Sequence, residues 1–128
     1  SYSIAHALSM KEQVNVILLG GRLLKESLMS VGEVAAAQAD LYHPDLCFAG
    51  VYAIHPEYGM TIPYPDEVSL KRRLIENSNR VISLVSPIKL NTVSRYRVCG
   101  IEAFTTLVTE NVPEEIAGSY RNRGLDVF

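Results

Sequence analysis

A pair of glycines followed by an arginine ends an apolar run in the segment VNVILLGGRL, residues 14–23. Glycine lets the backbone adopt positive φ and lets backbone N–H groups approach a ligand closely. Successive amides that point the same way form a concavity suited to an anion. Beside Gly20 and Gly21, the Arg22 guanidinium could bind a phosphate or a carboxylate with paired hydrogen bonds. The alternative is an ordinary turn with Arg22 in solvent. It stays open because two glycines after a strand are a weak signal and the segment contains no established nucleotide-binding motif.

Further candidate ligand-binding residues follow two other strand-like segments. Gly50 ends the segment LCFAG, and the stretch after it carries Gly59 and Thr61. Lys89 lies just beyond the apolar run RVISLV, residues 80–85. Ligands of open parallel sheets bind beyond the carboxyl ends of the strands. The sequence therefore predicts a small-molecule site that these residues help to form.

Glu67 and Lys71 lie four residues apart in DEVSLKRRLIENS, residues 66–78, which is predicted to be helical. At this spacing both side chains share one face of the helix. The carboxylate could accept hydrogen bonds from sugar hydroxyls while Lys89, Arg22 and backbone amides hold a phosphate. The alternative is a solvated ion pair on the helix surface, worth about 0.3–0.5 kcal/mol.

The composition of the chain favours a single globular domain: it has 128 residues, of which 48% are hydrophobic and 20% charged. A net charge of −2 argues against direct binding of nucleic acid. No apolar run is long enough to cross a bilayer and no signal peptide is evident, so we expect a cytoplasmic protein. Cys47 and Cys99 are expected to be free, buried thiols. The three histidines share no spacing typical of ligands, so no metal and no cofactor are expected.

Strand-like and helix-like segments alternate along the chain. Strands are predicted at residues 14–19, 46–51, 80–85, 96–99, 105–109 and 125–128. Helices are predicted in the first ten residues, after the capping box SVGE (30–33) as far as Leu41, over 66–78 and over 113–124. Residues 52–66, rich in proline, glycine and tyrosine, predict a loop. This order favours an α/β fold, a three-layer sandwich with a mostly parallel sheet.

The motifs, read in order, resemble one known family. They are SYSIAHAL, VILLGGRL, SVGEVAAAQADLYHPDLCFAGVYAI, YGMT, DEVSLKRRLIENSNRVISLV, the lysine at 89 and TTLVTE. Together they resemble the C-terminal sensor domain of DeoR-type bacterial transcriptional regulators, over nearly the whole chain. The resemblance implies a fold similar to ribose-phosphate isomerase, glucosamine-phosphate isomerase and coenzyme A transferase. It also implies a phosphorylated sugar, or a derivative of one, as the effector, and a role in switching catabolic operons.

The resemblance also assigns ligand-binding roles to particular positions. The matching positions are Gly20, Gly21, Arg22, Gly50, Gly59, Thr61, Glu67, Lys71 and Lys89. Gly32, Asp45 and Phe48 match further positions of the family pattern. The chain departs from that pattern at Ser86 and Ile88, where the family usually has Asp and Ser. The departure implies an effector that differs from the family norm.

The family's domain usually starts earlier than Ser1, with a first strand and a glycine-threonine phosphate loop. A sheet that lacks this strand is expected to expose an edge that favours association into a homodimer or homotetramer. Operator DNA would be contacted only through a helix-turn-helix domain outside this chain. The leading hypothesis is therefore an effector-binding and oligomerisation domain of a regulator. Two alternatives are a sugar-phosphate isomerase or deaminase using Glu67 and Lys89, and a dimerisation domain with a vestigial pocket.

Overall fold

The computed structural model describes all residues from 1 to 128. The helices and strands, numbered in chain order, are α1 (Tyr2–Ser9), β1 (Arg22–Leu24), β2 (Met29–Val31), α2 (Glu33–Ala39), β3 (Leu46–Phe48), β4 (Ala53–His55), β5 (Gly59–Ile62), α3 (Val68–Glu76), β6 (Arg80–Leu84), β7 (Tyr96–Cys99), β8 (Thr106–Val108), α4 (Glu114–Arg121) and β9 (Asp126–Val127). Three short 3-10 helices lie at Pro65–Glu67, Pro87–Lys89 and Ile101–Ala103. None of the helices has the length and apolar character needed to span a bilayer.

A parallel sheet of four strands, in the order β3-β6-β8-β9, lies at the centre of the fold. A second, antiparallel sheet contains β4, β5 and β7, and β1 pairs with β2 as a separate hairpin. The main core includes Val81 and Leu107 from the parallel sheet, Ile54 and Met60 from the antiparallel sheet, and Tyr120 from α4. The predicted α/β sandwich with a mostly parallel sheet is confirmed.

Most of the predicted elements after residue 65 are confirmed. Helix α3 follows the 3-10 turn at Pro65–Glu67, and strands β6, β7, β8 and β9 lie within their predicted ranges. Helix α4 begins directly after Pro113, whose missing N–H costs nothing at a helix start. These segments combine apolar runs with clear start and stop residues, so that local pattern and tertiary contacts agree.

The prediction of a loop at residues 52–66 was wrong. This stretch folds into the β4–β5 hairpin, and β5 then pairs with β7. All four residues of β5 are buried, so they form part of the core and not of a solvated loop. The prolines and the glycine that predicted a loop lie at the turn and at the ends of the two strands, where they do not interrupt the pairing.

The prediction of a buried strand at residues 14–19 was also wrong. The segment belongs to no sheet, and four of its apolar side chains are exposed: Val14, Val16, Ile17 and Leu18. A strand requires a neighbour to pair with its backbone N–H and C=O groups, and no strand of this chain pairs with the segment. The apolar composition of residues 14–19 predicted that their side chains are buried, but in this fold most of them are exposed.

Three further predictions need smaller corrections. Ser30 is not a helix cap: it lies in β2 and donates a hydrogen bond to the Leu19 carbonyl at 2.7 Å, while Gly32 caps α2. Helix α2 ends at Ala39, which leaves Leu41 beyond it and exposed. Strand β3 is shorter than the predicted 46–51, and it is not buried on both faces, because Leu46 and Phe48 are exposed.

Candidate functional site

The glycine pair connects the exposed segment 14–19 to strand β1. The Gly20 N–H donates to the Gln38 side-chain oxygen at 2.7 Å. Gly21 has φ +123°, and a Cβ at this position would lie 2.7 Å from the Val31 carbonyl oxygen. Glycine is therefore required at position 21 by the close approach of β2. Gln38 was not among the predicted site residues, and its only signal in the sequence is that it interrupts a run of alanines at residues 35–39.

Arg22 forms an ion pair with Asp66, and both side chains are largely exposed. Asp66 lies in the 3-10 turn directly before Glu67. The tertiary fold therefore joins the glycine segment to the start of α3 across 44 residues of sequence. The guanidinium has a carboxylate partner of its own, so its charge is balanced within the chain.

Glu67 and Lys71 form a buried ion pair, with 3.4 Å between the Lys71 Nζ and the Glu67 carboxylate. The exposed fractions of the two side chains are only 6% and 11% for Glu67 and Lys71, respectively. The Lys71 Nζ also donates to the Gly50 carbonyl at 3.0 Å. The alternative of a solvated helix ion pair is therefore wrong. Through the Lys71 hydrogen bond to Gly50, the pair links the start of α3 to the loop that follows β3.

Lys89 lies at the end of a 3-10 turn beyond β6, and its Nζ donates to the Val51 carbonyl at 2.7 Å. The two lysines, Lys71 and Lys89, thus bind the consecutive carbonyl groups of Gly50 and Val51. Parallel pairing of β3 with β6 brings their carboxyl ends to the same edge of the sheet, as the sequence analysis expected.

Gly59 and Thr61 lie on the β4–β5 hairpin. Gly59 has φ +73°, and its Cα faces the backbone of Cys99 and Gly100. Thr61 is buried, and its hydroxyl oxygen accepts a hydrogen bond from the Ser94 N–H at 2.7 Å. Both residues therefore support β7 and the loop that leads into it, the same loop that borders Lys89.

Two cavities adjoin the two lysines and differ greatly in size. The cavity beside Lys71 and Gly50 has a volume of about 70 Å³. The open groove beside Lys89 has a volume of about 700 Å³, and Tyr52, Thr92 and Arg95 also line it. Small-molecule sites usually measure about 300–1,000 Å³. Of these two, only the groove falls within this range.

Both cysteines are free and half-buried. Burial raises the pKa of the Cys99 thiol to about 11, and the nearby Glu102 carboxylate acts in the same direction. Burial likewise raises the pKa of Cys47, although a hydrogen bond with Ser78 opposes the shift. Both thiols are protonated at neutral pH, the form that is neither nucleophilic nor a good metal ligand. No group of three or more His, Cys, Asp or Glu side chains in the chain could hold a metal ion.

Comparison with known proteins identifies the family. The family described as "DeoR C terminal sensor domain" matches residues 1–111. The chain therefore belongs to this family and is the C-terminal sensing domain of a DeoR-type regulator.

Curated relatives carry related names. The HTH-type transcriptional repressor GlcR of Bacillus subtilis is 32% identical over 115 residues, 90% of this chain and 44% of the relative. The HTH-type transcriptional regulator GlpR of Haloferax volcanii is 28% identical over 105 residues, 81% of this chain and 41% of the relative. The regulator FruR of Bacillus subtilis, itself uncharacterized, is 27% identical over 114 residues, 89% of this chain and 45% of the relative. The chain spans about half the length of these relatives.

Proposed function

We propose that this domain binds a phosphorylated sugar, or a derivative of one, and thereby controls a transcriptional regulator of sugar catabolism. The observation that carries the proposal is the groove of about 700 Å³ beside Lys89, at the carboxyl edge of the parallel sheet. Lys89 donates one hydrogen bond to the Val51 carbonyl, which leaves two N–H donors of its ammonium for an anion. The buried Glu67–Lys71 pair holds the adjoining loop in place.

The effector would act by differential affinity. A ligand shifts a conformational equilibrium only as far as it binds one arrangement better than the other. In the full-length protein the arrangement that matters would be that of the DNA-binding domains, which we propose to be helix-turn-helix domains outside this chain. The names of the relatives support this part of the proposal, and such a regulator would act in the cytoplasm, on operator DNA.

An enzymatic role is less well supported than a sensing role. The relatives are named as transcriptional regulators and not as enzymes. An isomerase of this kind would need Glu67 as an accessible base, yet Glu67 is buried and paired with Lys71. A dimerisation domain with a vestigial pocket remains the second candidate, and ligand binding separates it from the sensor.

The first prediction concerns thermal unfolding of the chain in a panel of phosphorylated sugars. An effector present at 100 times its Kd should stabilise the fold by about 2.7 kcal/mol and raise the Tm accordingly. Lys89→Ala should reduce the rise strongly, because it removes one of the cations that line the groove. Arg22→Ala reports whether the glycine segment also contacts the effector.

Lys25→Ala is the matched control, since Lys25 is exposed in the turn between β1 and β2, outside the groove. A panel in which no phosphorylated sugar raises the Tm, of this chain or of the full-length protein, would refute the sensor and favour the vestigial pocket. If Lys89→Ala and Lys25→Ala changed the ligand-induced rise in Tm equally, Lys89 would not be part of the binding site.

We also propose that the chain self-associates, as a homodimer or homotetramer, through the free edge of β3. This edge has no neighbouring strand, and Leu46 and Phe48 are 40% and 65% exposed on it. An unpaired apolar edge offers backbone groups to a second strand, and a charged side chain blocks such pairing. Phe48→Lys should therefore raise the dissociation constant by about tenfold or more, the factor that corresponds to about 1.4 kcal/mol.

Sedimentation equilibrium measures this change. Leu41→Lys serves as the control, because Leu41 is equally apolar and exposed but lies outside every sheet. A chain that is monomeric at all concentrations, or that loses association equally with either substitution, would contradict the proposed interface.

A further inference from the structure

The groove beside Lys89 carries a second positive charge that the sequence analysis did not single out. Eight residues line it: Tyr52, Ala53, Ile88, Lys89, Thr92, Val93, Ser94 and Arg95. No carboxylate is among them. Arg95 is exposed at one side of this opening, directly before the first residue of β7.

The distribution of ion pairs distinguishes the groove from the rest of the candidate site. Arg22 is balanced by Asp66, and Lys71 is balanced by Glu67. The remaining ion pairs involve Arg73, Arg121 and Arg123, so neither Lys89 nor Arg95 takes part in any. The positive charge of the candidate site that no carboxylate offsets is therefore concentrated in the groove. An anionic group would be attracted there more strongly than to Arg22.

The loop that carries Arg95 is held in place without a ligand. The Thr92 hydroxyl donates to the Lys89 carbonyl at 2.7 Å, and the Thr92 N–H donates to the Ile54 carbonyl at 3.2 Å. The Ser94 N–H donates to the Thr61 hydroxyl oxygen at 2.7 Å. Binding would therefore have to order the Arg95 side chain but not the backbone, which lowers its entropic cost. Thr61, in this arrangement, acts as a positioning residue for the loop.

The side of the groove formed by Tyr52 and Ile88 is less polar. Both side chains are exposed, and Tyr52 combines an apolar ring with a hydroxyl that can bond to a polar ligand. A ligand that suits the groove therefore carries an anionic group at one end and an amphipathic body at the other. A phosphorylated sugar has this character.

We infer that Arg95 and Lys89 together bind the anionic group of the ligand, so that Arg95 is a specificity-determining residue of the groove. The guanidinium contributes a planar pair of donors that matches phosphate oxygens, and Lys89 contributes a point charge. That the ligand is the regulatory effector rests on the proposed function. The preference of the groove for an anion does not depend on the proposed function.

The experiment is a titration of the chain with inorganic phosphate, followed by the amide signals of residues 92–95 in two-dimensional NMR. We expect saturable shifts in these signals and a dissociation constant that Arg95→Ala raises by about tenfold, as for loss of a charge-assisted hydrogen bond. Arg95→Lys, which keeps the charge but loses the planar fork, should recover part of the affinity. Arg97→Ala is the matched control, because Arg97 is an exposed arginine two residues away that does not line the groove.

The inference is overturned if phosphate shifts signals elsewhere and not at residues 92–95, or if Arg95→Ala and Arg97→Ala have the same effect. The sugar panel separates the two proposals. Phosphate bound in the groove, with no response of this chain or of the full-length protein to any phosphorylated sugar, would refute the effector while supporting the anion site. A stabilising sugar phosphate whose affinity Arg95→Ala leaves unchanged would refute the role of Arg95 while the proposed function stands.

Discussion

Replacing Lys71 with methionine is expected to lower the free energy of unfolding by about 3 kcal/mol, the cost typical of removing one partner from a buried ion pair. The Glu67 side chain is only 6% exposed, and without Lys71 its carboxylate would remain buried without a counter-charge. The Gly50 carbonyl would also lose its hydrogen bond from the Lys71 ammonium. Methionine has a similar length, so the decrease in the free energy of unfolding would come from the lost charge and not from a new cavity. Chemical denaturation monitored by circular dichroism measures the change.

The double variant Glu67→Gln/Lys71→Met should recover a part of this loss, because it removes the unpaired charge. Glu114→Gln is the matched control: it breaks the ion pair with Arg121, whose two partners are 81% and 44% exposed. An exposed pair is worth about 1 kcal/mol at most. A loss in Lys71→Met no larger than in Glu114→Gln would show that the Glu67–Lys71 pair does not support the fold.

Replacing Gly59 with alanine is expected to destabilise the domain by about 3 kcal/mol or more, through backbone strain and overpacking. The residue has φ +73°, which side chains other than glycine rarely adopt. A Cβ there would lie 2.7 Å from the Gly100 Cα and closer still to the Cys99 carbonyl oxygen. Because these neighbours are backbone atoms of β7 and its end, they cannot move aside without disturbing the sheet.

Gly118→Ala provides the control for this substitution. Gly118 lies inside helix α4, and apart from the adjacent backbone of that helix no atom lies within 4 Å of a Cβ built there. Alanine should therefore stabilise the helix by about 0.5–1 kcal/mol. A Gly59→Ala variant with unchanged Tm and lost effector binding would show that Gly59 contacts the ligand and is not required by the hairpin.

The amino-acid sequence by itself determined the central part of the fold. The apolar run at 80–85 predicted β6 because strands covered on both faces show this composition, and residues 105–109 were predicted as a further short strand, which is β8. The acids-first, bases-later pattern of residues 66–78 predicted α3. Glu67 and Lys71 were predicted to share one face of α3, and they form an ion pair there. Lys89 was placed just beyond the run at 80–85, and its ammonium contacts the loop after β3.

The tertiary structure alone decided where burial and pairing occur. The same apolar composition produced a central strand at 80–84 and an exposed, unpaired segment at 14–19, because pairing depends on a neighbouring strand that no local pattern specifies. Residues 52–66 read as a loop but became a core hairpin once β7 was available as a partner. The burial of Glu67 and Lys71 and the charge of the groove at Arg95 arise from contacts between distant segments. Such contacts are set by the packing of the whole chain, which periodicity and spacing do not encode.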